Sequence, residues 1–165
     1  MKKTSYIDNV FDWRKSLKDR HLLFDTSAVI NIINFKATDL IEEMKAINVD
    51  LNTIEPVFIE LLATDNTTRS LERQSFVIEN KFTFLPLVKR NFDEARILQA
   101  ELRKLQCFPG PTDLYLGCIL EQYKPSGMLL ITCDHKDFPE PKYTRIGQII
   151  LCNSKSFCVL SILKS

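Results

Sequence analysis

The sequence predicts an α/β fold, specifically a three-layer α/β/α sandwich around a central, mainly parallel sheet. Short apolar runs typical of buried strands alternate with segments whose apolar residues recur at helical spacing. Such alternation favours parallel strands covered by helices on both faces. Two of the runs, HLLF (21–24) and MLLIT (128–132), are each followed closely by an aspartate. With 165 residues the chain is expected to form one domain (1–165) with a sizeable core.

Composition and charge restrict the classes of function. Hydrophobic residues make up 45% of the chain and charged residues 26%, as in ordinary globular proteins. The 22 basic and 21 acidic residues give a formal net charge of +1, so binding to nucleic acid would require a local basic patch. The charged N-terminus is unlike a signal peptide, and no apolar run approaches the roughly 20 residues of a membrane helix. We expect a cytoplasmic protein without a membrane partner, and its five cysteines, which form no CxxC pair, are expected to be free thiols.

The first half of the chain predicts three strands, at HLLF (21–24), VDLNTI (49–54) and FTFLPLV (82–88). An N-terminal extension (1–20) is expected to carry a short amphipathic helix around Val10, Phe11, Trp13 and Leu17. The segment SAVINIINF predicts a helix directly after the first strand. Asp39 and Glu42 have the spacing of a capping box, and Pro56 fits the first turn of the helix PVFIELLAT. A polar helix through Leu71 and Ile78 precedes the third strand.

The second half predicts two helices and three strands. Segment 91–106 has apolar residues at helical spacing, with Asn91 and Glu94 as expected caps and two basic residues in its last turn. After FPGP, the segment TDLYLGCILEQY predicts a helix with Thr112 as N-cap. MLLIT is a strand, and the tail at about 141–165 predicts two strands around the turn NSKS.

Four acidic residues occupy positions that suggest a common site. Asp25 and Asp134 follow predicted strands, and ligands of open α/β sheets bind outside the carboxyl ends of strands. Glu60 lies in an apolar setting, and Asp113 lies in the first turn of its helix. If these acids converge, their repulsion favours a cation, and oxygen ligands select Mg²⁺ or Mn²⁺. Such ions activate water for attack on a phosphodiester.

Each acid taken singly also has a purely structural interpretation. Asp25 and Asp113 are both good helix caps. Glu60 is equally compatible with the solvent-facing side of an amphipathic helix. Asp134 and Asp137 are compatible with a surface turn before FPEP. The joint pattern, rather than any one residue, favours a site.

The joint pattern resembles a PIN domain, the nuclease fold of many bacterial toxins and RNA-processing enzymes. The four motifs of that family are matched in order by LLFDTSAVI, IEPVFIELL, PTDLYLGCIL and LLITCDHKDF. The resemblance spans roughly residues 21–140. Gly117 stands where the family usually has alanine, and the N-terminal extension and C-terminal strands make this chain longer than the compact toxins of the family.

The resemblance implies metal-dependent hydrolysis of RNA. It implies that Asp25, Glu60, Asp113 and Asp134 are catalytic and hold Mg²⁺ or Mn²⁺, with Asp137, Thr26 and Thr132 as supporting residues. It also implies an RNA substrate, a small antitoxin protein as partner, and a homodimer. Basic residues that are candidates for phosphate contacts are Arg69, Arg73, Lys89, Arg90 and Lys136, although for any one of them a solvated face is the favoured interpretation.

Two other functions fit part of the pattern. DHKD resembles a late acidic motif of haloacid-dehalogenase-like phosphatases, but that class needs a second aspartate two residues after the nucleophile, and Ser27 stands there. The second alternative is a catalytically silent PIN-like module that binds RNA or a protein. Such a module would bind RNA about equally well with a chelator present.

Overall fold

The computed structural model describes residues 6–7 and 12–165, and for residues 6–7 the backbone alone. The fold is α/β, built around one mixed sheet. The strands of the described residues are Tyr6–Ile7 (β1), His21–Phe24 (β2), Asp50–Thr53 (β3), Thr83–Phe84 (β4), Leu129–Thr132 (β5), Thr144–Cys152 (β6) and Phe157–Lys164 (β7). Their order across the sheet is β1-β6-β7-β5-β2-β3-β4.

Helices connect most of these strands. Those of the described residues are Trp13–Leu17 (α1), Thr26–Asn34 (α2), Thr38–Ala46 (α3), Glu55–Leu62 (α4), Thr67–Glu79 (α5), Lys89–Lys104 (α6) and Pro111–Gln122 (α7). Two short 3₁₀ turns, Lys124–Ser126 and His135–Asp137, flank β5. The expected alternation of strands and helices is therefore confirmed from β2 to β5.

The parallel part of the sheet places the ends of β2 and β5 side by side. β2 pairs in parallel with β3 on one side and with β5 on the other, and Phe24 is opposite Ile131. Because the chain builds outward from β2 through β3 to β4 and then returns to the other side of β2, the strand order reverses between β2 and β5. That reversal is where ligands of open α/β sheets bind. Asp25 and Asp134 follow the two strands that meet there.

The other part of the sheet is antiparallel, so the sheet is mixed and the expectation of a mainly parallel sheet is not confirmed. β5 pairs with β7, β7 with β6, and β6 with β1, all antiparallel. The predicted C-terminal strands around NSKS are confirmed as a hairpin, β6 and β7. A short turn at 153–156 reverses the chain, and this hairpin therefore adds antiparallel strands beside β5.

Several predicted boundaries differ from the structure. β4 covers two residues instead of the whole segment 82–88, because Pro86 has no amide hydrogen to donate to a neighbouring strand. The helix expected at 91–106 begins at Lys89, and Asn91 accepts a hydrogen bond from the Val88 amide from inside the first turn. The N-cap of α7 is Gly110, not Thr112, and α3 begins at Thr38 without the predicted capping box.

The N-terminal helix is confirmed within the described residues. Asp12 caps α1 by accepting a hydrogen bond from the Lys15 amide, and the side chains of Trp13 and Leu17 are buried. Val10 and Phe11, the other two residues expected on its apolar side, lie outside the described residues. The helix contacts β6 and so covers part of the antiparallel half of the sheet.

Candidate active site

Asp25 is the most deeply buried acid at the strand ends. It follows β2, forms the N-cap of α2 and is only 5% exposed. Its Oδ2 atom accepts hydrogen bonds from Ser27 Oγ and Thr132 Oγ1, both at 2.6 Å. Burial raises the pKa of Asp25, and the bonds from Ser27 and Thr132 partly oppose that rise. The expected helix-cap role is only partly met, because the side chain makes no capping hydrogen bond.

Glu60 is held between two threonine hydroxyls. Thr26 Oγ1 donates to its Oε2 atom at 2.6 Å, and Thr112 Oγ1 donates to its Oε1 atom. Thr26 begins α2 and Thr112 lies in the first turn of α7, so these bonds join α4 to both helices. Glu60 is exposed, as the surface interpretation expected, but its carboxylate faces the ends of α2 and α7 rather than open solvent alone.

Asp113 is a half-buried acid in the first turn of α7. Its Oδ2 atom accepts a hydrogen bond from the Gly110 amide at 3.1 Å, so the carboxylate caps its own helix. Burial raises the pKa of Asp113 to about 7, assisted by the charges of Asp25, Asp137 and Glu60. The Asp113 carboxyl of α7 is therefore acted on by acids from three other segments: the end of β2, α4 and the 3₁₀ turn after β5.

Asp134 and Asp137 lie on the turn that follows β5. The Asp134 amide donates to Thr132 Oγ1 at 2.9 Å, and its side chain is exposed. Burial raises the pKa of Asp137, and the charges of Asp134 and Asp25 raise it further, while Lys136 lowers it. The charges of other acids therefore act on the Asp137 carboxyl, which would not be the case in an isolated surface turn.

The arrangement fits a divalent cation in its chemistry but not as a formed metal site. Among residues 12–165, none of the five acids forms an ion pair with a lysine or an arginine. Uncompensated carboxylates of this kind are ligands suited to Mg²⁺ or Mn²⁺. No group of three or more His, Cys, Asp and Glu side chains in the described residues is placed to hold a metal ion. Instead the carboxylates of Asp25, Glu60 and Asp113 hold hydrogen bonds from the protein itself.

The candidate phosphate-binding residues are dispersed. Arg69, Lys89 and Lys136 are exposed, Arg90 pairs with Glu94 on α6, and Arg73 donates to the Leu61 carbonyl at 3.0 Å. Arg73 is therefore engaged in joining α5 to α4. Lys136 lies between Asp134 and Asp137 and is the candidate nearest to the acids in sequence.

Two hydroxyl residues of the site were not predicted as such. Ser27 donates to Asp25 and accepts a hydrogen bond from the Cys133 amide at 3.0 Å, which joins α2 to the end of β5. Thr112 was expected only as a helix cap, yet its hydroxyl binds Glu60. The position of Ser27 two residues after Asp25 was visible in the sequence, but its partner on β5 depends on the parallel pairing.

The chain was compared with known families, proteins and structures. No family model, curated protein or solved structure matches it. The site therefore has to be interpreted from its own geometry. None of the helices in residues 12–165 combines the length and apolar composition needed to cross a membrane.

Replacing Asp113 by asparagine is expected to stabilise the protein above neutral pH in the presence of a chelator. The folded-state pKa of about 7 exceeds the ordinary value of 3.8, so the folded protein holds this proton more tightly than the unfolded chain. Stability is then fully present below about pH 4 and falls as pH rises to about 7. Since the carboxyl is partly exposed, we expect a gain of about 1–2 kcal/mol in the free energy of unfolding at pH 8.

Urea denaturation of both proteins at several pH values measures this effect. Asp65→Asn, a change of the same chemistry at an exposed position between α4 and α5, is the matched control. An equal change in the two variants, or a loss of stability in Asp113→Asn at pH 8, would contradict the assigned cause of the raised pKa.

Proposed function

We propose that the protein is a metal-dependent endoribonuclease with the three-layer architecture of a PIN domain. The observation that carries the proposal is the raised pKa of Asp113, which results from burial and from acids contributed by three other segments. Perturbed carboxyl groups that gather at the switch in strand order are typical of catalytic or metal sites.

The positions of the four motifs support the same proposal. Asp25 follows β2, and Asp134 follows the neighbouring strand β5. Glu60 lies on a helix, and Asp113 lies in the first turn of another helix. These are the elements that the resemblance to PIN domains implies for its four motifs. Both the order of the four motifs and the type of element that carries each one are therefore consistent with the proposed roles.

The proposed chemistry divides between the ion and the chain. Asp25, Glu60, Asp113 and Asp134 would hold Mg²⁺ or Mn²⁺, which when bound supplies an activated water and stabilises the departing oxygen. Ser27 and Thr132 orient the Asp25 carboxylate, while Thr26 and Thr112 orient that of Glu60. Orienting donors of this kind are worth about 10–100-fold in metal affinity or activity.

The partners follow from the same proposal. The substrate is RNA, with Lys136, Arg69 and Lys89 as exposed candidates for phosphate contacts. A small antitoxin that covers the acidic residues, a homodimer and a cytoplasmic location belong to the proposal as its toxin form. The near-neutral net charge favours RNA binding along a narrow, local surface over general binding of RNA.

A second function is favoured by a specific observation. The described residues contain no group already arranged to bind a metal ion, which is what a catalytically silent PIN-like module would present. Such a module would bind RNA or a protein through the same face without hydrolysis. RNA binding that is equal with Mn²⁺ and with chelator would identify it.

The deciding experiment is cleavage of a pool of structured RNAs by the purified protein, with Mn²⁺ and with chelator. We expect cleavage only with the metal, and a fall of about 10–100-fold in Glu60→Gln, which loses a charged ligand while its threonine partners remain. Glu55→Gln, an exposed change at the start of the same helix, is expected to retain the wild-type rate. Equal cleavage with and without chelator, or an equally active Glu60→Gln, would refute the proposal.

A further inference from the structure

Two cysteines meet beside the acidic residues. Cys133 directly follows β5 and Cys158 lies near the start of β7, and their sulfur atoms are 3.2 Å apart. Both residues are half-buried, unlike Cys107 and Cys118, which are buried. The contact is long-range in sequence, and the antiparallel pairing of β5 with β7, which ends with Thr132 opposite Ser161, brings the two segments near each other.

We propose that Cys133 and Cys158 form a redox-active pair that closes to an intramolecular disulfide. Closure requires the sulfur atoms to approach by about 1 Å, to the roughly 2.05 Å of a disulfide bond. Cys158 is held in β7 opposite Leu151 of β6, whereas Cys133 lies just beyond the paired part of β5, so we expect the movement to involve the two side chains and the turn after β5. The remaining half-buried cysteine, Cys152, is opposite Phe157 on the same hairpin and is not part of the pair.

The oxidant is a low-molecular-weight disulfide such as oxidised glutathione. A thiolate of the pair attacks one sulfur of the reagent and expels one glutathione thiolate. The second cysteine thiolate then attacks the mixed disulfide and expels the other glutathione thiolate. The two cysteine sulfurs are oxidised, the reagent is reduced to two thiols, and the two protons of the cysteines are taken up by the leaving groups.

The pair is connected to Asp25 by direct hydrogen bonds. The Cys133 amide donates to Ser27 Oγ at 3.0 Å, and Ser27 Oγ donates to Asp25 Oδ2 at 2.6 Å. Asn31 Nδ2 donates to the Cys133 sulfur at 3.4 Å and to the Ser27 carbonyl at 2.8 Å. Moving the Cys133 sulfur toward Cys158 lengthens its contact with Asn31, and the accompanying movement of the turn after β5 shifts the Cys133 amide away from Ser27 Oγ, which binds Asp25.

The first test is a thiol count of the folded protein before and after treatment with oxidised glutathione. We expect two of the five thiols to disappear, with a mass loss of two hydrogens and full reversal by dithiothreitol. Cys152→Ser should still lose two thiols, whereas Cys133→Ala and Cys158→Ser should form no intramolecular bond. A lasting glutathione adduct, a disulfide-linked dimer, or no loss of thiols would each overturn the proposal.

The second test measures the connection to Asp25 without relying on cleavage. Amide hydrogen exchange at Cys133 is expected to accelerate about tenfold on oxidation, because the turn that carries this amide moves away from its acceptor Ser27 Oγ. An unchanged exchange rate in a protein whose disulfide has formed would overturn the connection while leaving the disulfide established. The effect on RNA cleavage rests on the proposed function, and we expect a reversible loss of about tenfold there. If the chain cleaves no RNA, the thiol count and amide exchange still decide the inference.

Discussion

Asp25→Asn is expected to lower the rate of metal-dependent RNA cleavage by more than about 100-fold, beyond what loss of a residue that only orients a ligand costs. Asp25 lies where β2 and β5 end side by side, and its charge raises the pKa values of both Asp113 and Asp137. Asparagine keeps the size of the side chain but removes the charge that would bind the cation. The rate is measured with saturating RNA over a range of Mn²⁺ concentrations.

The loss of activity should not be accompanied by a loss of stability. The carboxylate of Asp25 is buried and its pKa is raised, so burying its charge opposes folding. The amide oxygen of asparagine accepts the same hydrogen bonds from Ser27 and Thr132. In chelator, the thermal midpoint of Asp25→Asn should therefore equal or exceed that of the wild type.

Asp65→Asn is the control for this variant, because it removes a carboxylate of the same length from an exposed bend. We expect it to cleave RNA at the wild-type rate. Wild-type cleavage by a folded Asp25→Asn protein would show that this carboxylate does not act in the reaction. It would also remove the main reason for placing the reaction at the ends of β2 and β5.

The positions of the acids followed from the sequence because they depend on simple rules of sheets and helices. A buried strand that stops at an aspartate places that side chain at the edge of the sheet, and parallel neighbours share this edge. Asp25 and Asp134 therefore follow adjacent strands, β2 and β5, as expected. Asp113 followed equally from its place in the first turn of a helix.

The hydrogen-bond partners of these acids could not be predicted from the sequence, because they are set by tertiary packing. Thr112 has the sequence properties of a helix cap, yet Gly110 takes that position and frees the Thr112 hydroxyl for Glu60. Ser27 meets Cys133 only because β2 and β5 are neighbours across more than 100 residues of chain. The C-terminal hairpin was predicted, but its antiparallel pairing with β5 was not, since apolar strands alone do not specify the direction of pairing.

Gly117→Ala is expected to destabilise the protein by about 1–2 kcal/mol, although alanine normally favours a helix by about 1 kcal/mol over glycine. A Cβ atom at this position would lie 2.6 Å from the Tyr143 hydroxyl oxygen and 2.7 Å from Leu98 Cδ2. Both neighbours are buried, and the Tyr143 ring packs edge-on against Phe138 with 5.4 Å between the centroids. The urea midpoint of unfolding measures the change.

Tyr143 occupies the space that an alanine Cβ at position 117 would need. Its hydroxyl oxygen is buried and has no hydrogen-bond partner in the described residues, so removing it should cost nothing and can gain about 1 kcal/mol. Tyr143→Phe alone is therefore expected to be as stable as the wild type or more so. It also vacates the space that a Cβ at position 117 needs.

The two substitutions should therefore be strongly non-additive. With Tyr143→Phe present, the closest remaining obstacle is the end of the Leu98 side chain, which can turn into the vacated space. In the Tyr143→Phe background, we expect Gly117→Ala to destabilise the protein by at least about 1 kcal/mol less than it does in the wild type. In a Tyr123→Phe background, we expect its destabilising effect to be unchanged. Equal penalties in both backgrounds would assign the cost to Leu98 instead.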